Sequence, residues 1–155
     1  MGKLVNEITI NAPKEKIWDI LTDLELLDKT DPTVKKATLI SANKTGLDAK
    51  RKVLMLDGKN WFDEKITLFK PNEALAYQLT DCSFPIKTLK HTYSFQQIGN
   101  ETKVQQTMEY IVKFGLLGKL MDKMMIHKQF DTGIKKFMNG LKSYAEKNPI
   151  AQGCS

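Results

Sequence analysis

Arginine is almost missing from this sequence: Arg51 stands alone among 24 basic residues. Nucleic-acid binders concentrate Arg and Lys with aromatics on one face. Here the lysines are scattered, so a net charge of +6 does not point to a nucleic-acid partner. Between Lys119 and Lys147 seven lysines face Asp122, Asp131 and Glu146. That pattern reads as a solvated outer face, with room for transient membrane contact. Cysteine is equally scarce. Cys82 and Cys154 are far apart and the second lies in a polar tail, which excludes a disulfide framework and favours a reduced, cytoplasmic protein. No apolar run reaches the roughly 18 residues of a bilayer span. The opening MGKLVNEITI is too short and too polar for a secretory leader, and Asn6 stands where N-myristoylation wants Ser or Thr. Without secretion the sequon Asn100-Glu101-Thr102 has no consequence.

What is present is one domain's worth of chain. At 155 residues, 41% hydrophobic and 27% charged, the composition is that of a soluble globular protein. We expect a single domain over residues 1–148 and a polar tail over 149–155. Only Gly115 to Asn148 is long and periodic enough for a long helix. Ile126, Phe130, Ile134, Phe137, Leu141 and Tyr144 recur at steps of three and four, with Met138 and Ala145 on the flank. Leu117, Leu120, Met121 and Met124 form a stripe rotated from the later one, so the helix bends near Met125 or its halves face different surroundings.

Upstream, residues 4–11 alternate as a first strand, and Pro13 suits the first turn of a helix carrying Ile17, Trp18 and Leu21. A second short helix follows over Leu24–Asp31, with Thr22 and Asp23 offering cap chemistry. Six more strands read as Val34–Ala42, Ala49–Leu56, Asn60–Phe69, Ala74–Thr80, Leu89–Ile98 and Thr102–Lys113. The links are short; Asp57-Gly58 fits a two-residue hairpin, and only Asp81–Thr88, with Pro85, is longer and irregular. Short links favour an antiparallel meander. The fold class is therefore α+β: a curved seven-stranded antiparallel sheet gripping one long C-terminal helix, with two short helices between strands 1 and 2. A curved sheet spanned by one helix readily leaves a cavity between them.

The stretch ITINAPKEKIWDILTDLELLDK, with its Ala-Pro pair and Ile17-Trp18, resembles the opening of the START-like (SRPBCC) superfamily. The closing FGLLGKLMDKMM…LKSYAEKN is similar to the last helix of its polyketide cyclase/dehydrase-like branch. The resemblance covers the whole chain in element order, but its motifs are structural. It implies a helix-grip fold with a hydrophobic pocket between sheet and last helix, in a superfamily of lipid carriers, hormone receptors, polyketide cyclases, ubiquinone-binding proteins and co-chaperones. Such a fold does not choose among functions. The turn Asn43-Lys44-Thr45-Gly46-Leu47 has one glycine, unlike the glycine-rich loop of the plant allergen and receptor branch. The two histidines, His91 and His127, lie on different elements, so the iron site of the oxygenase branch is not expected, and neither a metal nor a cofactor is assigned.

Candidate site residues follow from strand faces. His91 shares a face with Leu89, Tyr93 and Phe95; inward, it would orient a ligand or move a proton together with Tyr93, and outward it would do neither. His127 and Asp131 form an i, i+4 pair that reads as a surface pair. Asp63 and Glu64 point to opposite faces; whichever is inward would need a partner such as Lys65 or Arg51, and a surface cross-strand ion pair is the expected role. Trp61 or Phe62, with Tyr77, Tyr93, Phe95, Met108, Tyr110, Met121, Met124, Met125, Phe130, Ile134 and Phe137, would line a pocket, or else an ordinary packed core. Three readings stay open. The leading one is a non-enzymatic carrier or sensor of a lipid, isoprenoid quinone or polyketide-like aromatic, monomeric or dimeric, entered through Gly115–Met125. The others are a cyclase or dehydratase using His91 and a tyrosine, and a co-chaperone-like interaction protein with a filled core.

Overall fold

The computed structural model describes residues 1–113 and 125–147. Strand β1 (Gly2–Ile10) is followed by helix α1 (Lys14–Thr22), a 3-10 turn at Leu24–Leu26 and the short helix α2 (Leu27–Thr30). Six strands come next: β2 (Val34–Leu39), β3 (Lys50–Met55), β4 (Trp61–Lys70), β5 (Ala74–Cys82), β6 (Ile86–Ile98) and β7 (Glu101–Val112). Helix α3 (His127–Lys147) closes the chain. The strands form one antiparallel sheet in the order β1-β7-β6-β5-β4-β3-β2, so six run as a meander and β1 pairs with β7. This is the expected seven-stranded α+β helix-grip architecture.

Period-two alternation fixes which residues face the helix. Along β7 Thr102, Val104, Gln106, Met108 and Tyr110 are buried while their neighbours are not. The α3 stripe is buried at Ile134, Phe137, Met138, Leu141 and Ala145. A wider π-type turn at residues 125–126 leads into α3, at the place where the apolar stripe changes phase. The proposed entrance over Gly115–Met125, with Met121 and Met124, lies outside the described residues except for Met125, and so does the tail 149–155.

Several local expectations are corrected. Pro13 stands at the cap of α1 rather than in its first turn, with extended backbone (φ −69°, ψ 150°). Asp23 does cap the 3-10 turn through Glu25, but the Thr22 hydroxyl bonds back to the Trp18 carbonyl within its own helix. Asp57-Gly58 is not a two-residue hairpin. The Asp57 carboxylate accepts from the amides of Lys59 and Asn60, which winds a longer loop between Met55 and Trp61. The irregular stretch around Pro85 is shorter than expected, because β5 runs to Cys82 and β6 begins at Ile86.

Helix α3 is fastened by its C-terminal half. Lys142 Nζ donates to the Thr9 carbonyl, Asn11 N–H donates to Glu146 Oε1, and Lys16 Nζ donates to the Ala145 carbonyl. At Gly140 the helix backbone abuts α2, and a Cβ built there would overlap the Thr30 carbonyl oxygen. Gly140→Ala is therefore expected to destabilise the fold by about 1–3 kcal/mol despite alanine's better helix propensity. Urea denaturation checks this: a variant as stable as the parent, or more so, would show that the helix shifts freely.

Candidate functional site

The helix does not fill the concave face of the sheet. Between them lies a cavity of about 650 Å³. The sheet contributes Phe62, Leu79, Ile86, Leu89 and Met108 to its walls, the β5–β6 link contributes Phe84, and the helix contributes Phe130, Ile134 and Phe137. Set into this apolar lining are Arg51, Glu64, Tyr77, His91, Tyr93 and Gln106, with Asp31 and Thr33 from the segment after α2.

Arg51 and Glu64 are opposite one another in the β3–β4 register. Glu64 shares the inward face of β4 with Phe62 and Ile66, so the expected surface ion pair is instead a buried one. The two side chains are 7% and 3% exposed. Arg51 Nε and Nη2 both reach Glu64 Oε1, at 2.8 and 2.6 Å. Nη1 donates to the Leu24 carbonyl at 3.3 Å, and the guanidinium lies 4.2 Å from the centre of the Tyr77 ring. The Tyr77 hydroxyl donates to the Leu21 carbonyl at 2.7 Å, and burial pushes its pKa up to about 12. Asp63 takes the surface role on the other face, 2.8 Å from Lys52.

A second polar group joins β6 and β7. Tyr93 faces Gln106 in register, and His91 is two residues along the same face of β6. Gln106 Nε2 lies 3.0 Å from His91 Nδ1 and 3.0 Å from the Tyr93 hydroxyl, to which it donates. Burial lowers the pKa of His91, more than the nearby Glu64 charge raises it, and keeps the ring neutral. Burial also pushes the Tyr93 phenol well above its ordinary range. Asp31 accepts from the Thr33 amide and hydroxyl at 2.8 and 2.6 Å, yet burial still raises its pKa.

Of the residues expected at the site, Tyr77, His91, Tyr93, Met108, Met125, Phe130, Ile134 and Phe137 do line the cavity. Trp61 does not. It lies on the opposite face of β4 beneath the Lys52 ammonium, 4.0 Å away, and Phe62 takes the inward place. Phe95 has the right face but sits beyond the cavity, edge-on to Trp18 at 5.9 Å. Tyr110 is covered by α3, with the Phe130 ring at 4.8 Å and His127 Nδ1 at 3.2 Å from its hydroxyl. His127 is thus tied to Tyr110, and Asp131 accepts from Lys135.

The Arg51–Glu64 pair generates a stability prediction. Glu64→Leu leaves a buried guanidinium without its anion and is expected to cost about 3–5 kcal/mol, whereas the double variant Arg51→Met/Glu64→Leu recovers most of that loss. A urea-denaturation cycle measures the coupling. Single and double variants of equal stability would mean that the pair does not act as a unit.

Solved structures of known proteins share this architecture. The Zhui aromatase/cyclase from Streptomyces sp. R1128 superposes with a TM-score of 0.82 at 14% identity, covering 98% of this chain and 98% of that one. A START superfamily protein from Mycobacterium smegmatis gives 0.76 at 16% identity, covering 94% and 97%. A protein of Thermus thermophilus gives 0.78 at 18% identity, covering 93% and 97%. At these identities the likeness shows the fold alone. No curated protein matches the sequence. The family model described as polyketide cyclase/dehydrase and lipid transport matches residues 1–146, and the chain therefore belongs to that family.

Proposed function

We propose that this protein binds a small hydrophobic ligand in the cavity between the sheet and α3, as a carrier or sensor. The observation that carries this reading is the cavity itself. Its volume of about 650 Å³ is that of a ligand site, and its lining is mostly aliphatic, aromatic and Met side chains with a few polar groups. Burying apolar ligand surface there contributes roughly 25 cal/mol per Å², less the cost of ordering the ligand. Met55, Met108 and Met125 adapt their shape, which suits ligands of variable outline. The same cavity removes the ground for a filled-core interaction protein.

A second reading, acid–base chemistry of the cyclase or dehydratase kind, is favoured by one observation: neutral His91 lines the cavity and is linked through Gln106 to Tyr93. The pair is an incomplete proton device. The phenol resists ionisation, and the amide between the two rings has no readily exchanged charge to relay. We therefore place the binding reading first.

Native mass spectrometry of protein purified from cells tests it. A co-purifying lipid or quinone adduct is expected. Repeatedly empty spectra, together with no uptake of a hydrophobic dye, would overturn the proposal. Gly133→Leu provides a sharper control. Gly133 lines the cavity, and a Cβ built there meets nothing within 4 Å. The leucine is expected to keep or raise thermal stability through helix propensity. Dye or ligand affinity should fall about tenfold as the side chain occupies ligand space. Unchanged affinity in a folded variant would place the ligand elsewhere.

A further inference from the structure

We propose that the polar end of the cavity selects a neutral hydroxyl, so that the ligand is an apolar alcohol or phenol rather than a carboxylate. This rests on the ligand-binding reading above and names the chemical class that the site takes.

The argument begins at Gln106. The residue is 2% exposed, its Nε2 serves both His91 Nδ1 and the Tyr93 hydroxyl, and its Oε1 is buried without a partner among the described residues. A buried amide oxygen left unpaired is costly, and native structures rarely keep one without a reason. Turning the amide over would exchange an orphan acceptor for orphan donors, without supplying a partner.

The bonds that Gln106 does make set the neighbouring groups. Accepting at Nδ1 leaves the proton of neutral His91 on Nε2, and that N–H has no acceptor among the described residues. The Tyr93 oxygen accepts from Gln106, so its own O–H is uncommitted. On the other side of the balance, both Arg51 contacts fall on Glu64 Oε1, and Oε2 receives no hydrogen bond among the described residues. The polar end thus presents donors from His91 and Tyr93 and an acceptor from Glu64. A hydroxyl is the small group that accepts and donates through one atom.

A carboxylate fits poorly. It only accepts, and it would enter beside Glu64 and Asp31, both in the lining. The guanidinium of Arg51 is already engaged by Glu64, and Lys128 and Lys136, which line the cavity from α3, are exposed, so water screens their charge. His91 is held neutral by burial and offers no countercharge. A wholly apolar ligand would shut the donors away from water with nothing to bond.

Three fluorescent probes of one shape test this: phenanthrene, its phenol and its carboxylate, titrated into the purified protein at neutral pH. The phenol is expected to bind roughly tenfold tighter than phenanthrene, the effect of two ordinary buried hydrogen bonds, with the carboxylate weakest. Gln106→Leu and Tyr93→Phe should each bring the phenol to within about twofold of phenanthrene measured on the same variant. Thermal melting reports whether each variant folds, and if Gln106→Leu does not, Tyr93→Phe carries the test alone. Equal affinity for phenol and phenanthrene would overturn hydroxyl selection and leave the binding cavity standing. A carboxylate that binds tightest would overturn it too, with Arg51 as the anchor. Failure of all three probes to bind would overturn both readings.

Discussion

At Gly140 the backbone of α3 comes against the Thr30 carbonyl so closely that no side-chain atom fits between them. This contact, with Leu141 and Ala145 fully buried beside it, settles where the helix lies. The surrounding clasps from Lys16, Asn11 and Lys142 all act on residues 142–146 or on the chain facing them. One half of the helix is consequently packed down on β1, α1 and α2. The other half, carrying Phe130, Ile134 and Phe137, stands over the widest part of the curved sheet and roofs the cavity.

The wall beneath is polar in a controlled way. Removing the charges of Arg51 and Glu64 from water is expensive, and each is tolerated because the other neutralises it within hydrogen-bond distance. Leu24 and Tyr77 occupy the rest of the guanidinium, and Leu21 holds the Tyr77 hydroxyl. The ion pair is thereby tied to the end of α1 and the 3-10 turn, which lead directly into α2, the helix that meets α3 through Thr30. Anchor and cavity wall are parts of one packing unit.

The element order, the sheet face of β7 and the stripe on α3 were legible in the sequence because each repeats its period several times. Single residues were harder. Glu64 between Phe62 and Ile66 carries the signal of an inward carboxylate, against the general tendency of cross-strand ion pairs to be exposed. The same alternation decides Phe62 over Trp61, since the two cannot both face the cavity. Phe95 and Tyr110 had the correct face. They missed the cavity because face is set by local period, whereas distance along the sheet from the helix anchor is a tertiary quantity. Gln106 alternates into the inward face between Val104 and Met108, yet nothing in one sequence reveals that its amide bridges two rings on the neighbouring strand. The Asp57-Gly58 loop erred for a different reason: a side chain that bonds its own loop outweighs the dipeptide's hairpin preference.

The amide of Gln106 also bears on the choice between holding a ligand and transforming one. An imidazole that serves as a base usually donates at one nitrogen to a carboxylate or carbonyl, leaving the other lone pair free. Here the relation is inverted. Nδ1 accepts from an amide N–H, so a second proton could enter only at the atom that the amide already occupies. The desolvated surroundings oppose the imidazolium further. Tyr93 is constrained in the same sense, since burial keeps its proton on the phenol. Both rings are prepared to donate hydrogen bonds and reluctant to exchange protons. That combination suits orienting a bound molecule rather than activating it, in keeping with the proposed carrier or sensor.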